Sequence, residues 1–131
     1  MHIAVYGTLK RGFGNHRLLD PRGFRFVGSF LSVAKFHMTS AGGFPIVYKD
    51  IGLHHITAEL YEVTDERYLS QVDRLEGHPE WYRREPIKFV PPEGGELVEA
   101  EMYMQDKPDR LPRYNNVRIT NNVAEWVRTH D

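Results

Sequence analysis

The chain has 131 residues, 40% of them hydrophobic and 27% charged, which is the composition of one globular domain over residues 1–131. Its pI of about 6.7 lies far below the value of roughly 9 that marks nucleic-acid-binding domains, so no nucleic-acid partner is expected. The absence of cysteine excludes disulfides, thiol catalysis and cysteine-ligated zinc. No stretch approaches the roughly 18 apolar residues of a membrane span and no leader opens the chain, so we expect a cytoplasmic protein without membrane contact.

Short apolar, β-branched and aromatic runs bounded by turn residues predict strands over residues 2–6, 24–38, 43–49, 57–63, 84–90 and 97–104. The last two strands flank the sequence PPEGGE at 91–96, whose prolines and glycines favour a hairpin loop.

A helix is predicted between the fourth and fifth strands. Thr64 can cap it, and Tyr68, Val72 and Leu75 recur on one face at helical spacing. Gly77 then ends it.

A second amphipathic helix is predicted over residues 120–131, because Val123, Trp126 and Val127 would share a face and pack against the sheet. These elements indicate an α+β fold, with a small, strongly curved or closed β-barrel-like sheet and flanking helices.

The first strand ends in Tyr6-Gly7-Thr8-Leu9. A glycine here can adopt backbone angles denied to other residues, so that successive N–H groups could form a concave site for a carboxylate or an oxyanion. An ordinary tight turn explains the same residues, and Lys10 and Arg11 could either add positive potential or simply solvate the loop.

Glu76 stands immediately before Gly77 at the predicted helix end. The negative end of the helix dipole and apolar neighbours would both raise the pKa of its carboxyl group. A raised pKa suits a carboxylate that must take and return a proton near neutral pH. A surface glutamate at a helix end is the simpler alternative.

Other polar residues give weaker signals. A metal site built from His37, His54, His55 and His78 is not expected, because adjacent histidines on a strand point to opposite faces. Asp73 is expected to face solvent, and Arg83 and Arg84 are expected to pair with surface acids.

Three sequences together resemble the γ-glutamylcyclotransferase-like family: VYGTLKRG at 5–12, GGFPIVY at 42–48 and LEGHPEWYRR at 75–84. The continuation KRGFGNH at 10–16 is most similar to the γ-glutamylamine cyclotransferase branch. Val72 stands where the family more often has leucine, and the chain after Tyr103 matches nothing in the family pattern.

The resemblance implies a barrel with a cavity and no cofactor or metal. It implies that substrate binds through Tyr6, Gly7, Thr8 and Leu9, and that Glu76 is the catalytic acid–base. Tyr82 could line the cavity and bind substrate, as could Tyr103, or these tyrosines could simply pack in the barrel. We expect a monomer or weak homodimer whose partner is a small γ-glutamyl substrate.

The implied reaction converts a γ-glutamyl amine into 5-oxoproline and a free amine. The substrate could be γ-glutamyl-ε-lysine from cross-linked protein or a γ-glutamyl-protected biosynthetic intermediate. The alternative is a non-catalytic module that binds a small ligand in the same cavity. Glu76 favours the enzyme, since a binder has no need of a carboxylate at an unfavourable helix end.

Overall fold

In the computed structural model, which describes residues 1–40, 44–49, 52–106 and 117–127, strands close into a barrel. The five barrel strands are β1 (His2–Val5), β2 (Phe24–Ser32), β5 (His55–Val63), β6 (Arg83–Val90) and β7 (Val98–Met104). Around the barrel, β1 pairs with β7, β7 with β6, β6 with β2, and β2 with β5, which returns to β1. The β1–β7 pair is parallel and the other four pairs are antiparallel. The predicted barrel-like sheet is thus confirmed.

Two hairpins accompany the barrel. Strands β3 (His37–Ser40) and β4 (Pro45–Tyr48) form a separate antiparallel pair. Strands β8 (Val117–Thr120) and β9 (Val123–Trp126) form the second, and β9 pairs in parallel with the start of β5.

The second helix predicted over 120–131 is wrong for the described residues, which end at 127. Asn121 and Asn122 have φ of 50° and 63°, the left-handed conformation that asparagine tolerates best among residues with a side chain, and they make the tight turn between β8 and β9. Burial then alternates along β9, with Ala124 and Trp126 inside. The helix prediction failed because the apolar residues Val123 and Trp126 are three positions apart, a spacing that fits a helix, although they lie in a strand of only four residues.

The strand predicted over 24–38 is also divided. It stops at Ser32, whose hydroxyl donates to the Ala34 carbonyl oxygen at 2.7 Å and accepts from the Ile56 N–H at 2.8 Å. These side-chain hydrogen bonds of Ser32 compete with the backbone hydrogen bonds that would continue the strand, so β2 ends there. The chain resumes extended pairing at His37.

Helix α1 (Glu66–Glu76) packs on the outside of the barrel. Its cap is Asp65 rather than Thr64, since the Asp65 carboxylate accepts from the Arg67 N–H at 3.0 Å. Leu69 and Val72 are its buried residues, whereas Leu75, predicted to share the buried face, is 45% exposed.

The two faces of the barrel wall fill two cores. Ala4 contributes to the core inside the barrel, while its neighbours Ile3 and Val5 join the core beneath α1. Strand β1 is therefore buried on both sides, which explains its uninterrupted apolar sequence. Within the described residues, no helix is long and apolar enough to cross a membrane.

Candidate active site

A cavity of about 340 Å³ opens where β1 ends and α1 ends. The six residues proposed from the sequence all line it, and so do Asn15, Phe44, Pro45, Leu75, Trp81 and Tyr103. Those six are Tyr6, Gly7, Thr8, Leu9, Glu76 and Tyr82. Of the additional lining residues, Phe44, Pro45, Leu75 and Trp81 lie within the three family-like sequences, which was the available signal for them.

The loop after β1 is held by its own hydrogen bonds. The Lys10 N–H donates to the Gly7 carbonyl oxygen at 3.0 Å, which closes the turn. Asn15 then donates twice to Thr8, from its backbone N–H to the carbonyl oxygen and from its side chain to Oγ1, both at 3.0 Å. In the part of the chain that is described, no acceptor takes the N–H groups of Gly7, Thr8 or Leu9. The three residues that carry these N–H groups all line the cavity.

Gly7 is required for a different reason from the one predicted. Its φ does not lie in the left-handed region, unlike that of Gly12 or Gly77. A Cβ placed on Gly7 would instead lie 2.7 Å from the Pro45 ring, closer than real Cβ atoms come. The glycine therefore permits close approach of the loop to β4.

Lys10 and Arg11 do not line the cavity. The buried Lys10 ammonium donates to the Trp126 carbonyl oxygen at 2.7 Å. The Arg11 N–H donates to Glu59 Oε1 at 2.9 Å, and its guanidinium lies 3.9 Å from the centre of the Phe26 ring. Both basic residues thus fasten the loop to the barrel.

Glu76 is the last residue of α1, as predicted, and Gly77 follows in the left-handed conformation with φ 66°. Burial raises the pKa of its carboxyl group to about 7, and the negative charge of Asp73 one turn earlier adds to the rise. The predicted direction of this shift is confirmed. No residue of the described segments makes a hydrogen bond or ion pair with the Glu76 side chain. The side chain thus lines the cavity without a polar partner from those segments.

Asp73 does not face solvent, and that expectation is wrong. Its carboxylate accepts from Arg84 Nε at 2.7 Å and Nη2 at 3.0 Å, and from the Tyr103 hydroxyl at 2.5 Å. Arg84 also donates to Glu101 at 2.6 Å. Burial acts to raise the pKa of Asp73, but the hydrogen bonds from Arg84 and Tyr103 outweigh it and hold that pKa below its ordinary value.

Three tyrosines of the cavity use their hydroxyl groups to join protein segments. Tyr6 donates to the Tyr103 carbonyl oxygen at 2.7 Å, and Tyr82 donates to the Pro45 carbonyl oxygen at 2.8 Å. Burial raises the pKa of Tyr82 and of Tyr103 far above the ordinary range, so both stay neutral. Their rings form walls, and their hydroxyl oxygens can still accept a hydrogen bond.

The histidines considered as metal ligands are dispersed. The rings of His37 and His54 stack 6.0 Å apart in the core, while His55 Nδ1 lies 2.9 Å from the Ser32 carbonyl oxygen. His78 Nδ1 accepts from the Arg84 N–H at 3.2 Å. Across residues 1–40, 44–49, 52–106 and 117–127, no group of three or more metal-binding side chains comes together.

Comparison with known proteins agrees with this geometry. Residues 3–126 match the family described as gamma-glutamyl cyclotransferase, AIG2-like. A Methanocaldococcus jannaschii protein provisionally named a gamma-glutamylcyclotransferase is 36% identical over 104 residues, which cover 78% of this chain and 82% of that one. The Mus musculus gamma-glutamylaminecyclotransferase is 37% identical over 93 residues, or 66% of this chain and 62% of its own length.

The fold has a solved counterpart. The crystal structure of an AIG2-like protein from Mus musculus superimposes with a TM-score of 0.74 at 34% identity, covering 86% of this chain and 84% of that one. The resemblance in sequence thus coincides with a shared barrel. The chain belongs to the gamma-glutamyl cyclotransferase, AIG2-like family and is an enzyme of the γ-glutamylcyclotransferase type.

Proposed function

We propose that the enzyme converts a γ-glutamyl amine, such as γ-glutamyl-ε-lysine, into 5-oxoproline and the free amine, with Glu76 as general acid–base. The observation that carries this proposal is the half-buried Glu76 carboxyl group in the cavity lining, which it shares with the loop after β1, and with its pKa raised to about 7, so that it exists in both protonation states at neutral pH. Such a group is suited to accepting and returning one proton in a single turnover.

The reaction exchanges one acyl C–N bond for another and moves two protons off the α-nitrogen. Glu76 accepts the first proton from the α-ammonium of the substrate, and the resulting amine attacks the γ-carbonyl carbon. The new C–N bond closes the five-membered lactam, and the bond to the leaving nitrogen breaks as Glu76 returns that proton to it. The second proton then passes from the ring nitrogen through Glu76 to the released amine, which leaves as an ammonium ion. Holding the substrate folded for this attack could contribute about 7 to 11 kcal/mol. The step requires no cofactor and no nucleophile from the protein.

The loop after β1 supplies the second part of the proposed site. The N–H groups of Gly7, Thr8 and Leu9 are suited to the substrate carboxylate or to the oxyanion that forms on the γ-carbonyl oxygen. Fastening of this loop by Lys10 and Arg11 supports such a role, because fixed donors lose little free energy in reorganising around the developing charge.

The lining supports a leaving nitrogen that has no carboxylate next to it, such as the ε-nitrogen of lysine, rather than the α-nitrogen of an amino acid. No lysine, arginine or histidine is among the described residues that line the cavity. An amino acid that leaves through its α-nitrogen would bring its carboxylate beside Glu76 with no cation to receive it. Glutathione and γ-glutamyl amino acids are therefore expected to be poorer substrates, and Mus musculus gamma-glutamylaminecyclotransferase is named for the amine reaction.

The proposal is tested by incubating the protein with γ-glutamyl-ε-lysine, a γ-glutamyl amino acid and glutathione, and measuring 5-oxoproline. Glu76→Gln keeps the size and polarity of the side chain but cannot carry the proton, so we expect at least about a hundredfold loss of kcat, within the range of general acid–base contributions. Glu80→Gln, an exposed acid in the same segment, is the matched control and should keep full activity. Normal 5-oxoproline release by folded Glu76→Gln would exclude Glu76 as the base.

A further inference from the structure

One edge of the cavity is apolar and exposed. Leu75 is 45% exposed and Trp81 is 53% exposed, and both line the cavity together with the half-buried Phe44. The Phe44 and Trp81 rings meet edge to face with their centres 5.7 Å apart. These three side chains are termed the apolar rim.

Although the rim side chains are exposed, Trp81 is held in place by a backbone hydrogen bond and by a ring contact. The Trp81 N–H donates to the Gly77 carbonyl oxygen at 2.8 Å, and the Trp81 ring packs edge to face on Tyr82 with centres 4.9 Å apart. A Cβ at Gly77 would lie 3.0 Å from Trp81 Cβ, so the turn after α1 closes tightly beneath the tryptophan. Large apolar side chains held exposed at the edge of a cavity mark a surface that a ligand covers.

The position of the rim identifies the part of the substrate that it would cover. Leu75 precedes Glu76 and Trp81 precedes Tyr82, so the rim borders the group that returns a proton to the leaving nitrogen. The substituent on that nitrogen is the portion of a γ-glutamyl amine that extends beyond the glutamyl group. Two of the three rim side chains are aromatic, and aromatic rings pack favourably on one another at centre separations of about 4.5 to 7 Å.

We propose, resting on the proposed function, that the apolar rim is a subsite for the leaving amine that selects γ-glutamyl amides whose amine carries an aryl group or an alkyl chain long enough to cover the rim. Trp81 is its central side chain, since it contacts both Phe44 and Tyr82. An amine with a single methyl group cannot reach across the rim, whereas a benzyl group can cover it.

The test compares kcat/KM for γ-glutamyl benzylamide and γ-glutamyl methylamide, measured by release of 5-oxoproline. We expect the wild-type enzyme to favour the benzylamide by about tenfold, the lower end of what one apolar contact contributes to discrimination. Trp81→Ala should reduce this ratio to about twofold or less, while Trp81→Phe, which keeps a ring, should retain most of it. Leu97→Ala is the control, because Leu97 is 50% exposed and lies outside the cavity lining.

A wild-type ratio near one, or an unchanged ratio in Trp81→Ala, would overturn the subsite. Calorimetric binding of both amides to Glu76→Gln separates the subsite from the proposed function, because it needs no turnover. Preferential binding of the benzylamide without 5-oxoproline release by the wild-type enzyme would retain the subsite and refute the proposed function. Release of 5-oxoproline from both amides at equal kcat/KM would retain the proposed function and refute the subsite.

Discussion

Replacing Asp73 with asparagine is expected to lower the pKa of Glu76 and to shift the acid limb of activity. Burial is the larger cause of the raised pKa of Glu76, about 7, and the Asp73 charge is the second. Asparagine preserves the shape of the side chain and removes the charge together with one acceptor, the oxygen that takes the hydrogen bond from Arg84 Nη2. The substitution therefore separates the two causes.

The size of the shift follows from the position of the two carboxyl groups on α1. Residues three apart on a helix have Cβ atoms about 6 Å apart, and two unit charges at that distance repel by about 3 kcal/mol at an effective permittivity of about 20. This energy corresponds to about two pKa units. Two units is an upper limit, because burial is the larger cause of the rise from 4.5 to about 7, and this leaves about one unit for the Asp73 charge.

The measurement is the pH dependence of kcat/KM on a γ-glutamyl amine, corrected for titration of the substrate. In the proposed mechanism the base form of Glu76 is the active one, so activity should be lost as pH falls through its pKa. For Asp73→Asn the midpoint should move from about 7 to about 6, and it should stay above the ordinary glutamate value because burial remains. The variant should then keep a larger share of its maximal activity at pH 6.

A variant of opposite sign provides the control. Arg84→Gln leaves the Asp73 charge unneutralised, so the midpoint should rise. Glu80→Gln, on an exposed side chain, should not move it. A midpoint that stays near 7 in folded Asp73→Asn, or that rises, would refute the assignment of this repulsion to Asp73.

Two further predictions concern stability. Gly7→Ala should lower the free energy of unfolding by about 1 to 3 kcal/mol and raise KM, because the new Cβ must displace the Pro45 ring. Gly14→Ala in the same loop is the control and should cost far less, because its Cβ would meet nothing within 4 Å. Thermal melts and KM values check both variants, and equal losses of stability would contradict the close-approach argument. Glu76 holds its proton up to about pH 7 in the folded chain but only up to about pH 4.5 in the unfolded chain, so the free energy of unfolding should fall by up to about 3 kcal/mol as pH rises from below 4.5 through 7. Urea unfolding at pH 5 and pH 8 should show a smaller fall for Glu76→Gln than for the wild-type protein. An equal fall in the two proteins would count against the raised pKa.

Local sequence signals were sufficient for the residues at the ends of β1 and α1. The apolar run into Tyr6-Gly7 and the pair Glu76-Gly77 each carry their own conformational preference, so their places could be predicted without tertiary information. The direction of the Glu76 pKa shift followed from the helix end and from burial.

Features that depend on distant segments could not be predicted in this way. The environment of Asp73 is set by Arg84 on β6 and Tyr103 on β7, which come next to α1 only once the barrel closes. The apolar rim likewise joins Phe44 to Leu75 and Trp81. In β9, tertiary pairing with β5 decided between two periodicities that four residues cannot distinguish.

Asp73 and Glu76 lie one helical turn apart, yet their pKa values move in opposite directions. Arg84 and Tyr103 donate to Asp73 and stabilise its anion, whereas Glu76 is buried in the cavity wall without such donors among the described residues. The fixed negative charge of Asp73 then disfavours a second anion beside it. Of the two carboxyl groups, Glu76 is the one that can change its protonation state near neutral pH. Two carboxyl groups whose pKa values are driven apart in this way can take separate roles, one as a permanent anion and one as a group that exchanges a proton. Asp73 holds α1 to the barrel wall through Arg84 and Tyr103, and Glu76 is the carboxyl group to which we assign the proposed proton exchange.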